Sequence, residues 1–109
     1  MLNAIRNVFS KSYEDLKGPD FKKKCEESSG VLIDVRTPGE VAAGTIAGSM
    51  HIDIMSPGFT AKINQLDKDK SYFLFCRSGN RSGKACEYMT GQGFKAYNLA
   101  GGIGEWPGA

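Results

Sequence analysis

Two runs of the chain are apolar almost without interruption: VLIDV (31–35) and SYFLFC (71–76), each bounded by turn or polar residues. A strand apolar on both sides must be covered on both faces, and that is how strands inside a parallel sheet read. Shorter strand candidates are SYEDL (12–16), SMHIDI (49–54) and KAYNL (95–99). Helical stretches lie between them. GPDFKKKCEES (18–28) has Pro19 at a first helical position and Asp20 in the first turn, with Phe21 and Cys25 on one face. TPGEVAAG (37–44) carries a capping box, Thr37 as N-cap and Glu40 three residues on. SPGFTAKINQL (56–66) repeats the Ser-Pro opening and turns Phe59, Ile63 and Leu66 inward. SGKACEYMTGQG (82–93) starts at about Ser82, buries Ala85, Cys86 and Met89, and stops near Gly91 or Gly93. Strands alternating with helices predict an α/β domain with a mostly parallel sheet and helices on both faces. At 109 residues there is room for one core, so a single domain is expected over 12–109, with 1–11 an N-terminal arm or helix.

Charge and cysteine usage exclude several classes of function. The net charge of +2 is too small for a non-specific nucleic-acid footprint, and Lys22 to Lys24 read as a solvated helix face. Cysteines at 25, 76 and 86 fit no metal or disulfide framework, which favours a reducing compartment and no metal. The opening MLNAIRNVF is too short and too interrupted for a signal sequence or a membrane span, so a cytoplasmic protein without membrane contact is expected.

The stretch FCRSGNRSGK (75–84) has no counterpart elsewhere in the chain. Cys76 ends the most apolar strand, and in open sheets of this kind ligands sit outside the carboxyl ends of the strands. The thiolate is the nucleophile, so chemistry here requires a depressed pKa. Arg77 and Arg81 flank the sulfur, a helix N-terminus follows, and a loop this rich in Gly and Ser can curl its amides into an anion-binding nest. Gly79 can take positive φ and Gly83 allows close backbone approach. A shift of about two units corresponds to roughly 2.7 kcal/mol, within reach of such a loop. His51, the single histidine, is on another strand candidate, so the loop itself must activate the thiol. A lone cysteine at a strand end would be read as a small buried hydrophobe; inside this loop the nucleophile is the better reading. GNRSGK (79–84) falls short of a P-loop, with three residues between its glycines and Ala85 after the lysine. Cys25, Cys86, Tyr72, Phe73 and Phe75 are expected in the core, as are Met50 and Met55, with the mouth of the site as the alternative place for the two methionines. Ile103 and Trp106 are expected to cap the sheet or pack under the loop's rim.

LIDVRTPGE (32–40), GTIAGSMHI (44–52), FCRSGNRS (75–82) and NLAGGIGEW (98–106), in that order, resemble the rhodanese-homology domain of single-domain sulfurtransferases. The resemblance covers roughly residues 12–106. It implies a five-stranded parallel sheet of order 1-5-4-2-3 flanked by helices. It implies that Cys76 accepts a sulfane sulfur as a persulfide, with Arg77, Ser78, Gly79, Asn80, Arg81 and the helix start at Ser82 as the anion-binding cradle. Asp34 and Arg36 match the family's DVR positions and, beside Glu40, are read as scaffold ions. Where the family often has Gly-His-Ile, this chain has Gly44-Thr45-Ile46, a change bearing on packing. Related phosphatases and arsenate reductases carry C-x5-R; here the spacing is C-x4-R, the tighter ring. The implied activity moves sulfur from thiosulfate or a persulfide donor to a thiol or cyanide, without cofactor or metal. The alternative is a relay module that exchanges sulfur with a partner protein and turns over little itself.

Overall fold

The computed structural model describes residues 12–108, so the expectation for residues 1–11 lies outside the described residues. Five strands form one sheet: β1 (Glu14–Leu16), β2 (Val31–Asp34), β3 (Met50–His51), β4 (Ser71–Phe75) and β5 (Lys95–Leu99). Their order is β1-β5-β4-β2-β3, and every pairing is parallel. Among the described residues, four helices alternate with them: α1 (Gly18–Glu27), α2 (Pro38–Ala42), α3 (Phe59–Asn64) and α4 (Asn80–Gly91), followed by a 3-10 turn at Ile103–Glu105. β4 lies in the middle, paired to β2 on one side and β5 on the other, and so brings Cys76 to the centre of the sheet's carboxyl rim.

Side chains alternate across a strand, and a core lies on each face accordingly. Tyr72, Leu74 and Cys76 of the β4 segment join Ile33 and Val35 against Phe59 and Ile63 of α3 and Ala85, Cys86 and Met89 of α4. Phe73 and Phe75 turn the other way, to Phe21 and Cys25 of α1, with Ile46 and Leu99. Phe73 stacks on Tyr97 at 4.7 Å and meets Phe21 edge-on at 5.4 Å. The lysines of α1 are exposed or half-exposed; Lys24 lies over Tyr97 and Lys22 over Trp106.

Several boundaries differ from expectation. The strand expected at 49–54 pairs as a strand only over Met50–His51. Ile52 and Ile54 still donate to Asp34 and Val35, but Asp53 then bends the chain, its carboxylate accepting from the Met55 amide. This edge position leaves Met50 42% and Met55 71% exposed, not in the core. The Ser-Pro opening of the third helix is a turn: Ser56 Oγ accepts from the Gly58 amide, and α3 starts only at Phe59. A Ser side chain that serves its own turn competes with the helix it precedes. Conversely, α4 begins at Asn80, two residues before Ser82, because Gly79 takes φ +97° and turns the chain directly into the helix.

Candidate active site

The sulfur of Cys76 lies where the N-cap acceptor of α4 would be. Gly79, the N-cap residue, offers no side chain to the open amides of the first turn. Cys76 Sγ takes that place: the Ser82 amide donates to it at 3.4 Å, the Gly79 amide at 3.1 Å, and Ser82 Oγ lies 3.3 Å away. Gly79 fits because its Cβ would come within 3.3 Å of the Leu99 carbonyl and 3.4 Å of the Gly101 amide. The far side of the loop is seated by Gly102, where any Cβ would collide with the Arg77 carbonyl. Ile103, after Gly102, donates its amide to the Cys76 carbonyl at 2.8 Å, and Trp106 packs edge-on against Phe21.

Cys76 has no exposed surface, whereas Arg77, Ser78 and Asn80 above it are exposed and Gly79 and Arg81 half-buried. Burial, the largest single influence on this thiol, pushes its pKa up. The Ser82 hydroxyl and the Ser82, Ser78 and Gly79 amides together outweigh that, and the pKa is lowered. The two arginines are placed differently: Arg77 is exposed on the loop, whereas Arg81 is paired within the fold and still feels the charge of Cys76. Arg81 holds Glu40 with both terminal nitrogens, at 2.6 and 2.9 Å, so the guanidinium is engaged by a carboxylate from α2. The Asn80 amide, counted in the cradle, turns instead to Ser78 Oγ at 3.3 Å.

The three residues grouped as scaffold ions separate into two pairs. Asp34 and Arg36 form a buried bidentate pair, with Arg36 Nη2 also donating to the Gly44 carbonyl at 2.7 Å. Thr45 fills the position noted in Gly44-Thr45-Ile46: its hydroxyl donates to Asp34 Oδ2 at 2.7 Å. Burial raises the Asp34 pKa, but the Arg36 and Thr45 hydrogen bonds carry it below its ordinary value. Glu40 belongs to the second pair. The Arg81 hydrogen bond, helped by the Thr37 amide and hydroxyl of the capping box, lowers its pKa to about 2.

The sequence reading missed Asn98. It is buried on β5, where Nδ2 donates to Asp15 Oδ1 at 2.9 Å and to the Gly79 carbonyl at 3.1 Å. Its Oδ1 accepts from Ser82 Oγ at 2.6 Å. An amide inside an apolar strand was the available signal, since Asn is depleted in strands and a buried amide needs partners. Asn98 and Asp15 also line a cleft of about 360 Å³ on the β1 side of the loop, with Ser78 and Gly79; Cys76 is not part of its wall. Of the other thiols, burial raises the pKa of both Cys25 and Cys86, so neither is activated. His51 binds the Arg36 carbonyl through Nε2, at 2.7 Å.

The fold and site together define a class: a parallel α/β domain that presents one amide-cradled cysteine at the end of its central strand. A family model described as Rhodanese-like domain matches residues 18–109, and the chain belongs to that family. The protein YtwF of Bacillus subtilis (strain 168) is 44% identical over 88 residues, 80% of this chain and 84% of that protein. The thiosulfate sulfurtransferase GlpE of Ectopseudomonas mendocina is 35% identical over 89 residues, 81% of this chain and 80% of that protein. A rhodanese-related protein of Thermoplasma volcanium matches with a TM-score of 0.75 at 32% identity, covering 86% of this chain and 90% of that one.

Proposed function

We propose that this protein is a sulfurtransferase that carries sulfur as a persulfide on Cys76. One observation supports this reading most: two amides and a hydroxyl converge on a single sulfur whose pKa they lower despite its burial. In the first half-reaction the Cys76 thiolate attacks the outer sulfur of thiosulfate or of a persulfide donor. A sulfur–sulfur bond forms to Cys76 as the donor's own breaks, and the electron pair leaves with sulfite or a thiolate. In the second, cyanide or an acceptor thiolate attacks the outer sulfur, and the electron pair returns to Cys76 Sγ. The charge on the outer sulfur is met by loop amides, as an oxyanion is in acyl transfer.

The exposed Arg77 is the first cation an anionic donor meets, since Arg81 is held by Glu40. Because Cys76 is covered, the donor approaches it from the side of the exposed Arg77, Ser78 and Asn80. Thiosulfate and cyanide should give double-displacement kinetics, seen as parallel double-reciprocal lines for thiocyanate release. Cys76→Ser should reduce turnover at least about a thousandfold. Persistence of transfer in that variant would refute the reading.

A further inference from the structure

The hydrogen bonds behind Cys76 contain one proton too few. Asn98 Nδ2 faces the Asp15 carboxylate and the Gly79 carbonyl. A carboxylate and a carbonyl only accept, so the amide's orientation is fixed and its Oδ1 must face Ser82. Ser82 Oγ sits 2.6 Å from that oxygen and 3.3 Å from Cys76 Sγ. A hydroxyl has a single proton, and both neighbours compete for it. When Cys76 is a thiol there is no conflict: S–H donates to Ser82 Oγ, and Ser82 donates to Asn98. When Cys76 ionises, the sulfur becomes an acceptor. Either Ser82 stays with Asn98, leaving the thiolate to the amides alone, or it turns to the sulfur and leaves Asn98 Oδ1 buried without a donor.

We infer that Asn98 is a positioning residue for Cys76, acting through the Ser82 proton to hold back stabilisation of the resting thiolate. A thiolate with less hydrogen bonding is the stronger nucleophile. Once sulfur is loaded, the negative charge lies on the outer atom, and Ser82 returns to Asn98 at no loss to Sγ. The pair thereby favours the loaded form over the resting anion. This inference rests on the reading of Cys76 as an ionising nucleophile. The charged and titratable groups around the site are Arg81 with Glu40, under the electrostatic influence of Asp53; Asp34 with Arg36 at the end of β2; Arg77 on the loop; the Cys86 thiol on α4; and Asp15, which loses the Asn98 hydrogen bond when Asn98 is replaced, an effect the Ser82→Ala background reads by itself.

The test is the pH dependence of Cys76 alkylation by iodoacetamide, followed by mass on the peptide containing residue 76, which needs no sulfur donor. Ser82→Ala should raise the midpoint by about one unit, the loss of one hydrogen bond to an anion. Asn98→Leu, or Asn98→Ala if the larger residue prevents folding, should lower it by about half a unit, because the Ser82 proton is then free for sulfur. In the Ser82→Ala background the Asn98 substitution should produce no shift, since the coupling runs through that hydroxyl. A rise on removing Asn98, or a shift that persists without Ser82, would overturn the inference and leave the nucleophile intact. A wild-type midpoint at or above the ordinary thiol value of about 8.5 would overturn the nucleophile itself.

Discussion

Cys76 and Cys86 lie in the core on one face of the sheet and Cys25 in the core on the other, and among the described residues only Cys76 has backbone amides and a hydroxyl directed at its sulfur. Cys86 is buried with no donor directed at it, and its pKa is raised. Cys76 is as buried, yet hydrogen bonds bring its pKa below the ordinary value. Burial alone therefore does not set reactivity here; it raises the pKa of both thiols, and the donors at Cys76 reverse the direction. In native protein iodoacetamide should modify Cys76 with a midpoint below about 8.5 while Cys86 stays unmodified, and unfolding in urea should return Cys76 to that value. Equal reactivity of the two would refute the account. The linked effect on stability has a definite sign. A lowered folded-state pKa adds stability above the unfolded thiol value, and this is lost as pH falls through the folded-state value.

Among the elements, α2 has no buried residue, and its evident task is to deliver Glu40 to Arg81. The capping box fixes Glu40 by its own helix start, so Thr37→Ala should cost about 1 kcal/mol in urea unfolding and loosen the grip on Arg81. Glu40→Gln should free that guanidinium for an anionic donor and lower the KM for thiosulfate about two- to fivefold, the scale of a partly exposed ion pair. An unchanged or higher KM would assign Arg81 a purely structural role. Because the Glu40 pKa is lowered to about 2, its pair stabilises the fold above the ordinary carboxylate range, and this is lost as pH falls toward that value. Glu40→Gln should flatten that part of the acid limb. At the loop's far side, Gly102→Ala forces a Cβ onto the Arg77 carbonyl at φ +87°, and about 3 kcal/mol of destabilisation is expected by the same urea measurement.

The whole molecule converges on the rim of its central strand, and the buried Asp34–Arg36 pair ties β2 to the 44–46 segment beneath that rim. Asp34→Ala leaves Arg36 buried without a counter-charge and should cost about 3 to 5 kcal/mol in urea unfolding, with transfer per folded molecule retained. The apolar runs VLIDV and SYFLFC were sufficient to predict a parallel sheet, because doubly covered strands tolerate almost no polar residue. The strand order came from resemblance, since periodicity does not say which strands are neighbours. Partnerships across long separations were not legible: Glu40 with Arg81, 41 residues apart, and Asn98 with Asp15, 83 apart. Edge strand β3 is shorter than its apolar run because Asp53 bends the chain, which hydrophobicity alone does not reveal. The most direct test of sulfur carriage is the intact and peptide mass of protein incubated with thiosulfate. The account predicts a gain of about 32 Da, one persulfide sulfur, confined to the peptide with Cys76 and removed by cyanide. Folded protein that gains no such mass, or gains it on Cys25 or Cys86, would contradict it.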